Sequence, residues 1–246
     1  VRPFFSYYGA KYTGARHYGT PRLDLVIEPF AGSACYSTRW EAKNVKLYDI
    51  SPEICDLWDW LIGCSMSDVL AIPSKFESMD EVRALARGPQ LLVRFWIAKG
   101  RAEPSGALSP WYFQWRNSTD CRVWGEMVKR RIIQQKPLLD GWTIENKSWE
   151  QITIEPAHWH VDPPYNNNAG SRYPHSNVDF SALAQWCRTL PGHVDVCENL
   201  GANWLPFEPL YQVVTARGRR SGAISSEVVW RKAEKVNALP IWLVAA

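Results

Sequence analysis

A chain of 246 residues, 46% hydrophobic and 22% charged, holds enough apolar material for one large domain, or one domain with an insertion, around a substantial core. These values exclude a disordered tail and a miniature disulfide scaffold, and no apolar run approaches the roughly 18 residues that span a bilayer, so no membrane partner is expected. A net charge of +3 permits a nucleic-acid partner without demanding one.

Six cysteines without a CxxC read as reduced thiols in apolar runs, not as a zinc or disulfide framework. Fourteen tryptophans fill core, and so many π-faces also raise the odds of a surface that stacks on bases. The first residues, VRPFFSYYGAK, lack the order of a secretory signal, so a cytoplasmic location is expected.

Residues 23–30 (LDLVIEPF) form a nearly continuous apolar run that predicts a short buried strand, followed by AGSA and a helix over 37–43. VKLY at 45–48 predicts a second strand ending at Asp49, and PEICDLWDWLIG begins with Pro near a helical first turn. Together they make the βαβ opening of an α/β domain. The character then changes: PSKFESMDEVRALARG and PQLLVRFWIAKG read as helices, a Pro/Gly/Ser loop covers 100–110, and a Trp-rich stretch and a basic helix follow. Residues 65–140 therefore read as a helical insert in a domain made of 1–64 and 141–246. Strand signals resume at 142–145 (WTIE), 158–161 (HWHV), 193–197 (HVDVC), 211–216 (YQVVTA) and 226–230 (SEVVW), with a helix, FSALAQWCRTL, among them. The expected fold is α/β, a mostly parallel sheet with an antiparallel edge hairpin.

In an open parallel sheet, ligands bind at the carboxyl ends of the strands. After the first predicted strand, Glu28-Pro29-Phe30-Ala31-Gly32-Ser33-Ala34 lets a small-residue turn approach a ligand ahead of a helix. After the second, Asp49 stands where an acid commonly takes ribose hydroxyls, although Ser51-Pro52-Glu53 suits it equally to a helix cap. After HWHV comes the most specific signal, Asp162-Pro163-Pro164-Tyr165: two prolines fix a rigid turn that projects a carboxylate, free carbonyls and a phenol ring. Acceptors beside an aromatic face suit a planar heterocycle with an exocyclic amino group. The polar loop 166–176 reads either as a segment ordering over a bound base or as a plain surface loop. His158 and His160 share a strand face, but metal ligation is not expected, and Glu198-Asn199 either shapes the pocket wall or caps a turn.

These motifs, in this order, resemble those of the Dam-type (D12 class) DNA adenine-N6 methyltransferases. Tyr7-Tyr8-Gly9-Ala10-Lys11 is similar to the family's aromatic-x-Gly-Gly-Lys, EPFAGSA to its cofactor loop, Asp49 to its ribose ligand, and a helical recognition insert precedes DPPY. The resemblance implies a Rossmann-like class I methyltransferase fold and catalysis by Asp162, Pro163, Pro164 and Tyr165. It implies S-adenosylmethionine as cofactor, yielding S-adenosylhomocysteine, held by Tyr7, Gly9, Ala10, Lys11, Glu28, Pro29, Phe30, Ala31, Gly32, Ser33, Asp49, Ile50, Ser148, Trp149 and Asp162, with no metal. Double-stranded DNA is the implied partner of a monomer or weak dimer in a bacterial or phage-infected cell. The expected phosphate contacts are Lys129, Arg130, Arg131, Arg172, Arg217, Arg219 and Arg220, and Gln114, Arg116 and Asn117 are base-edge candidates. Cytosine N4 or an RNA amino group would suit the same turn, and a non-catalytic DNA-binding paralogue is the reading from another class. Three departures stand out: Ala10 and Ala34 where the family has Gly, and Ser148 where it has Asp before an aromatic residue, here Trp149.

Overall fold

The apolar run after Asp24 becomes β1 (Leu25–Glu28), three of whose four residues are buried. In the computed structural model, which describes residues 1–97, 100–214 and 224–232, six further strands join it: β2 (Asn44–Asp49), β3 (Thr143–Asn146), β4 (Ala157–Val161), β5 (Gly192–Asn199), β6 (Glu208–Val214) and β7 (Ile224–Arg231). The sheet order is β3-β2-β1-β4-β5-β7-β6. Pairing is parallel from β3 through β5, while β7 runs antiparallel to both β5 and β6. This is the Rossmann-like class I methyltransferase fold, with the order reversing between β1 and β4 and one antiparallel strand slotted in before the edge. The expected hairpin is present, and its second strand lies inside the sheet with β6 at the edge.

Period-two alternation sends neighbouring side chains to opposite faces. Val26 thus enters one apolar layer with Phe4, Phe5, Leu47 and Trp58, while Ile27 enters the other with Trp159, Leu183 and Leu190. Helix α1 (Cys35–Trp40) stops short of the predicted end because Glu41 turns left-handed at φ 52°, its N–H reaching Ser37 and Thr38 carbonyls. Helix α2 (Pro52–Gly63) has the predicted bounds.

Between α2 and β3 lie α3 (Met66–Ala71), α4 (Met79–Arg83), α5 (Arg87–Trp96), α6 (Pro110–Trp115) and α7 (Glu126–Gln135); α8 (Phe180–Thr189) precedes β5. The run expected as one helix over PSKFESMDEVRALARG yields α4, which starts where the Ser78 hydroxyl accepts from Glu81 N–H, and the first two residues of α5. These helices are not a body with its own interior: Val69, Leu92, Phe95, Trp96, Trp124 and Ile132 share the apolar layer of Phe4, Phe5 and Trp142.

The tryptophans explain much of this. Trp58, Trp124 and Trp159 are fully buried, and each indole N–H meets a loop carbonyl: Gly32 at 2.8 Å, Pro73 at 2.8 Å and Pro191 at 3.0 Å. Trp96 and Trp142 do the same to Phe4 and Ala42. A buried donor satisfied in this way anchors a connection while its ring fills volume. Most of the ring surface read as a stacking platform is therefore spent inside, although Trp111 and Phe113 on α6 remain 40% and 43% exposed.

The basic triplet is corrected by the same packing. Lys129 is only 5% exposed, and its ammonium donates to Leu70 O (2.9 Å), Ile72 O (2.6 Å) and Ser74 Oγ (3.3 Å), closing the end of α3. It is not a phosphate contact. Arg131 donates to Pro3 O and lies over Trp96, and Arg130 alone is exposed, paired with Glu126 at 3.0 Å. Lys129→Ala leaves two carbonyls without their donor, so a loss of about 1–3 kcal/mol in unfolding free energy is expected from denaturant titration. A change under a few tenths would mean that those carbonyls find water.

Candidate active site

The turn after β1 takes its shape from two left-handed residues, Gly32 and Ala34, both at φ 44°. Gly32 N–H donates to Asp49 Oδ2 at 2.9 Å, and a Cβ added at Gly32 would meet the Tyr7 ring at 3.0 Å. Only glycine combines this backbone with that contact. Ala34 carries the cost of a Cβ in the left-handed region, so Ala34→Gly is expected to raise stability by about 0.5–1 kcal/mol in denaturant unfolding. Unchanged or lower stability would show that the Cβ packing offsets the strain.

Asp49 ends β2 and uses both oxygens: Oδ2 on Gly32 N–H and Oδ1 on Ser51 N–H, each at 2.9 Å. Asp49 is not the cap of α2: Ser51 holds that position, without a side-chain cap bond, and the Asp49 carboxylate ties Ser51 to the Gly32 turn. Burial raises its pKa, against the pull of these N–H groups. Ile50 beside it is 51% exposed.

Glu28 is 3% exposed, and its Oε1 accepts Ser37 N–H at 2.9 Å. Burial pushes this carboxyl from 4.5 up to about 7, outweighing the Ser37 hydrogen bonds. Because the folded-state value lies above the unfolded one, ionising Glu28 opposes folding, and its cost grows from about pH 4.5 to 7 and then levels off. Glu28→Gln is accordingly expected to gain melting temperature over the parent at pH 8 and little at pH 5. A pH-independent difference would contradict this account.

At the end of β4, Asp162 Oδ1 forms an ion pair with Lys11, whose Nζ lies 4.4 Å from the Tyr165 ring centroid. Burial works against the Lys11 ammonium, but Asp162, with Cys197 and Glu227 further off, holds its pKa above the ordinary value. The Tyr165 hydroxyl donates to Glu227. Glu198 Oε2 accepts Asn166 N–H and Trp204 Nε1–H, each at 3.0 Å, pinning the turn to β5.

One cavity joins these strand ends, and every residue named above for the cofactor lines it: Tyr7, Gly9, Ala10, Lys11, the Glu28–Ser33 turn, Asp49, Ile50, Ser148, Trp149 and Asp162. Pro164 also lines it, whereas Pro163 is buried and neither Pro163 nor Tyr165 reaches the wall. The Tyr165 hydroxyl bonds Glu227, and Lys11 lies over its ring. Trp149 is 7% exposed, with its ring centroid 5.3 Å from that of Trp186. Ser148 caps the following turn, its hydroxyl donating to Glu150.

Sequence reasoning missed Glu150, Tyr36 and Asp179 on the wall, weighed His160 only as a metal ligand, and reached Tyr173 and His175 only as members of a loop. It did single out the 166–176 loop. That loop is tied down, with Arg172 donating to the Tyr8 hydroxyl (3.3 Å) and Tyr173 to the Tyr8 carbonyl (3.1 Å). Arg217, Arg219 and Arg220 lie outside the described residues. Arg116 is held by Glu77 and the Phe76 carbonyl, leaving Gln114 and Asn117 exposed.

His158, His160 and Asp195 bring potential ligand atoms within 4.8 Å of one another. His158 Nδ1, however, accepts Arg22 N–H at 3.1 Å, which puts the ring proton on Nε2, facing Asp195 Oδ2 at 3.4 Å. Such a ring has no lone pair left for a metal. Asp195 Oδ1 also accepts from Arg231 at 2.9 Å and lies 3.2 Å from His193. Burial works to raise the Asp195 carboxyl, but the His158 and His193 contacts hold it below the ordinary range. His160 is pushed down to about 3 by burial and stacks as a neutral ring on Tyr36. The cluster is a hydrogen-bonded network tying β4, β5 and β7.

No protein-family model and no curated protein matches the sequence. Some solved structures do. The 23S rRNA methyltransferase ErmE is 10% identical with a TM-score of 0.43, over 94% of this chain and 70% of its own. A provisionally assigned methyltransferase of Escherichia coli, yhhF, is 8% identical at 0.36, over 85% and 76%. A provisionally assigned methylase of Haemophilus influenzae, HI0767, is 11% identical at 0.36, over 85% and 87%. Likenesses this distant fix neither substrate nor site, and the strand order itself carries the fold assignment.

Proposed function

We propose that this chain transfers a methyl group from S-adenosylmethionine to the N6 amino group of adenine in double-stranded DNA. The observation that carries the reading is the meeting, in one cavity, of the left-handed Gly32 turn braced by Asp49 with Asp162 at the end of β4. The residues fit the cofactor: a tight left-handed glycine turn at one strand end, a carboxylate at the neighbouring strand end for a ribose, and the exposed Ile50 beside it for a ring. Glu150, bonded to Ser148, supplies a carboxylate close to where the family has Asp.

When bound, the cofactor supplies an electrophilic methyl on a sulfonium. Everything else falls to the chain. Asp162 Oδ1 is paired with the Lys11 ammonium. With Oδ1 on Lys11, Oδ2 is left to accept a hydrogen of the adenine amino group, and the second acceptor is a carbonyl of the Pro163-Pro164 turn, of which Pro164 lines the cavity. Two fixed acceptors turn the nitrogen lone pair toward the methyl, stabilise the positive charge that develops there and remove an orientational barrier. A base inside a duplex cannot reach this depth, so it must be flipped out. In this reading Tyr165 buttresses the turn, and phosphate contacts fall to Arg130 and Arg172 together with Arg217, Arg219 and Arg220, which lie outside the described residues.

The test is transfer of tritiated methyl to duplex DNA, followed by nucleoside analysis of the product. N6-methyladenine supports the reading. N4-methylcytosine or labelled RNA would move it to another amino group, and cofactor binding without transfer would make the chain a binding paralogue.

A further inference from the structure

Tyr173, which no motif singled out, closes a ring of contacts around the groups placed above at the reacting atoms. The chain leaves Asp162 through Tyr165, whose carbonyl accepts Asn167 N–H at 2.7 Å. Asn167 Oδ1 then gathers the N–H groups of Ala169 (2.7 Å) and Gly170 (3.3 Å). At Gly170 an added Cβ would lie 1.9 Å from the Tyr165 carbonyl oxygen, so the turn is as tight as a backbone allows. It delivers Tyr173 back over the N-terminal motif. There the hydroxyl donates to Tyr8 O at 3.1 Å, and the ring lies 5.3 Å from that of Tyr8 and 6.0 Å from that of Tyr7. Gly9 sits beneath that hydroxyl at φ 72°, where a Cβ would come within 2.0 Å of it. Two residues on, Lys11 reaches Asp162. The loop that follows Asp162 thus holds the segment that supplies its counter-ion.

We infer that Tyr173 is a positioning residue: by holding the Tyr8 carbonyl, its hydroxyl fixes the Gly9–Lys11 segment so that Lys11 meets Asp162 and the acceptor is aligned for methyl transfer. The inference rests on the role proposed for Asp162. It differs from mere packing, for which the ring alone would serve.

Tyr173→Phe keeps the ring and removes only the hydrogen bond. It is expected to leave S-adenosylmethionine affinity within about threefold, to slow single-turnover transfer by about tenfold, the worth of one such bond, and to speed amide exchange across residues 8–11 while β4 stays unchanged. Lys11→Met slows transfer too, and adding Tyr173→Phe to it is expected to cost less than about twofold more, because both act through one contact. An unchanged rate in Tyr173→Phe overturns the inference. So does a loss confined to cofactor affinity, or a full multiplicative loss in the double variant. The exchange measurement needs no substrate: if the parent chain transfers no methyl, the proposed function falls, and unchanged exchange at residues 8–11 would separately overturn the clasp.

Discussion

Asp162→Asn is expected to cut methyl transfer by about 10²–10³ or more, the loss typical of one preorganised polar group at a developing charge. The amide still fills the space but cannot accept at both oxygens. It also strips Lys11, 13% exposed, of its anionic partner, and breaking such a pair destabilises because the remaining charge stays partly desolvated. The double variant Lys11→Met, Asp162→Asn removes both charges, so it should recover unfolding free energy without recovering turnover. That split separates a reacting group from a structural one. Retention of more than about a tenth of the parent rate in Asp162→Asn would remove the carboxylate from the mechanism.

The second large effect concerns the cofactor. Asp49→Ala deletes the acceptor of two backbone N–H groups and the proposed ribose partner; about 1.5–3 kcal/mol lost from binding corresponds to a 10- to 150-fold weaker dissociation constant by calorimetry. Gly32→Val should be worse, because φ 44° excludes a β-branched residue and the Tyr7 ring occupies the space its Cβ needs. Parental affinity in both variants would place the cofactor elsewhere.

Most strands were legible because they are short apolar runs ending in a recognisable turn, β3 with three of its four residues exposed being the exception, and the strand-end residues followed from the sheet rule. What sequence could not supply is what depends on partners far along the chain. Lys129 looks like its neighbours Arg130 and Arg131 in a basic run, and only the three oxygens at the end of α3 reveal it as a buried cap. Tyr165 reads as a stacking ring, and only the fold shows that Glu227, 62 residues away, takes its hydroxyl. Asp195 sits inside an apolar strand pattern, and its role appears only once β4 and β7 bring His158 and Arg231 beside it. Helix ends failed for a local reason: the left-handed turn at Glu41 has no glycine to announce it.

The helices between β2 and β3 share one apolar layer with Phe4, Phe5, Trp58 and Trp142, which bears on how such proteins can be re-engineered. Specificity modules can be exchanged between enzymes when each encloses its own interior. Here, replacing residues 65–140 with those of another protein would break a jointly built interior, and the chimera would be expected to fold only if Phe4, Phe5 and the inner face of α2 were transplanted with them. The unit that folds with these helices therefore extends to the first few residues of the chain.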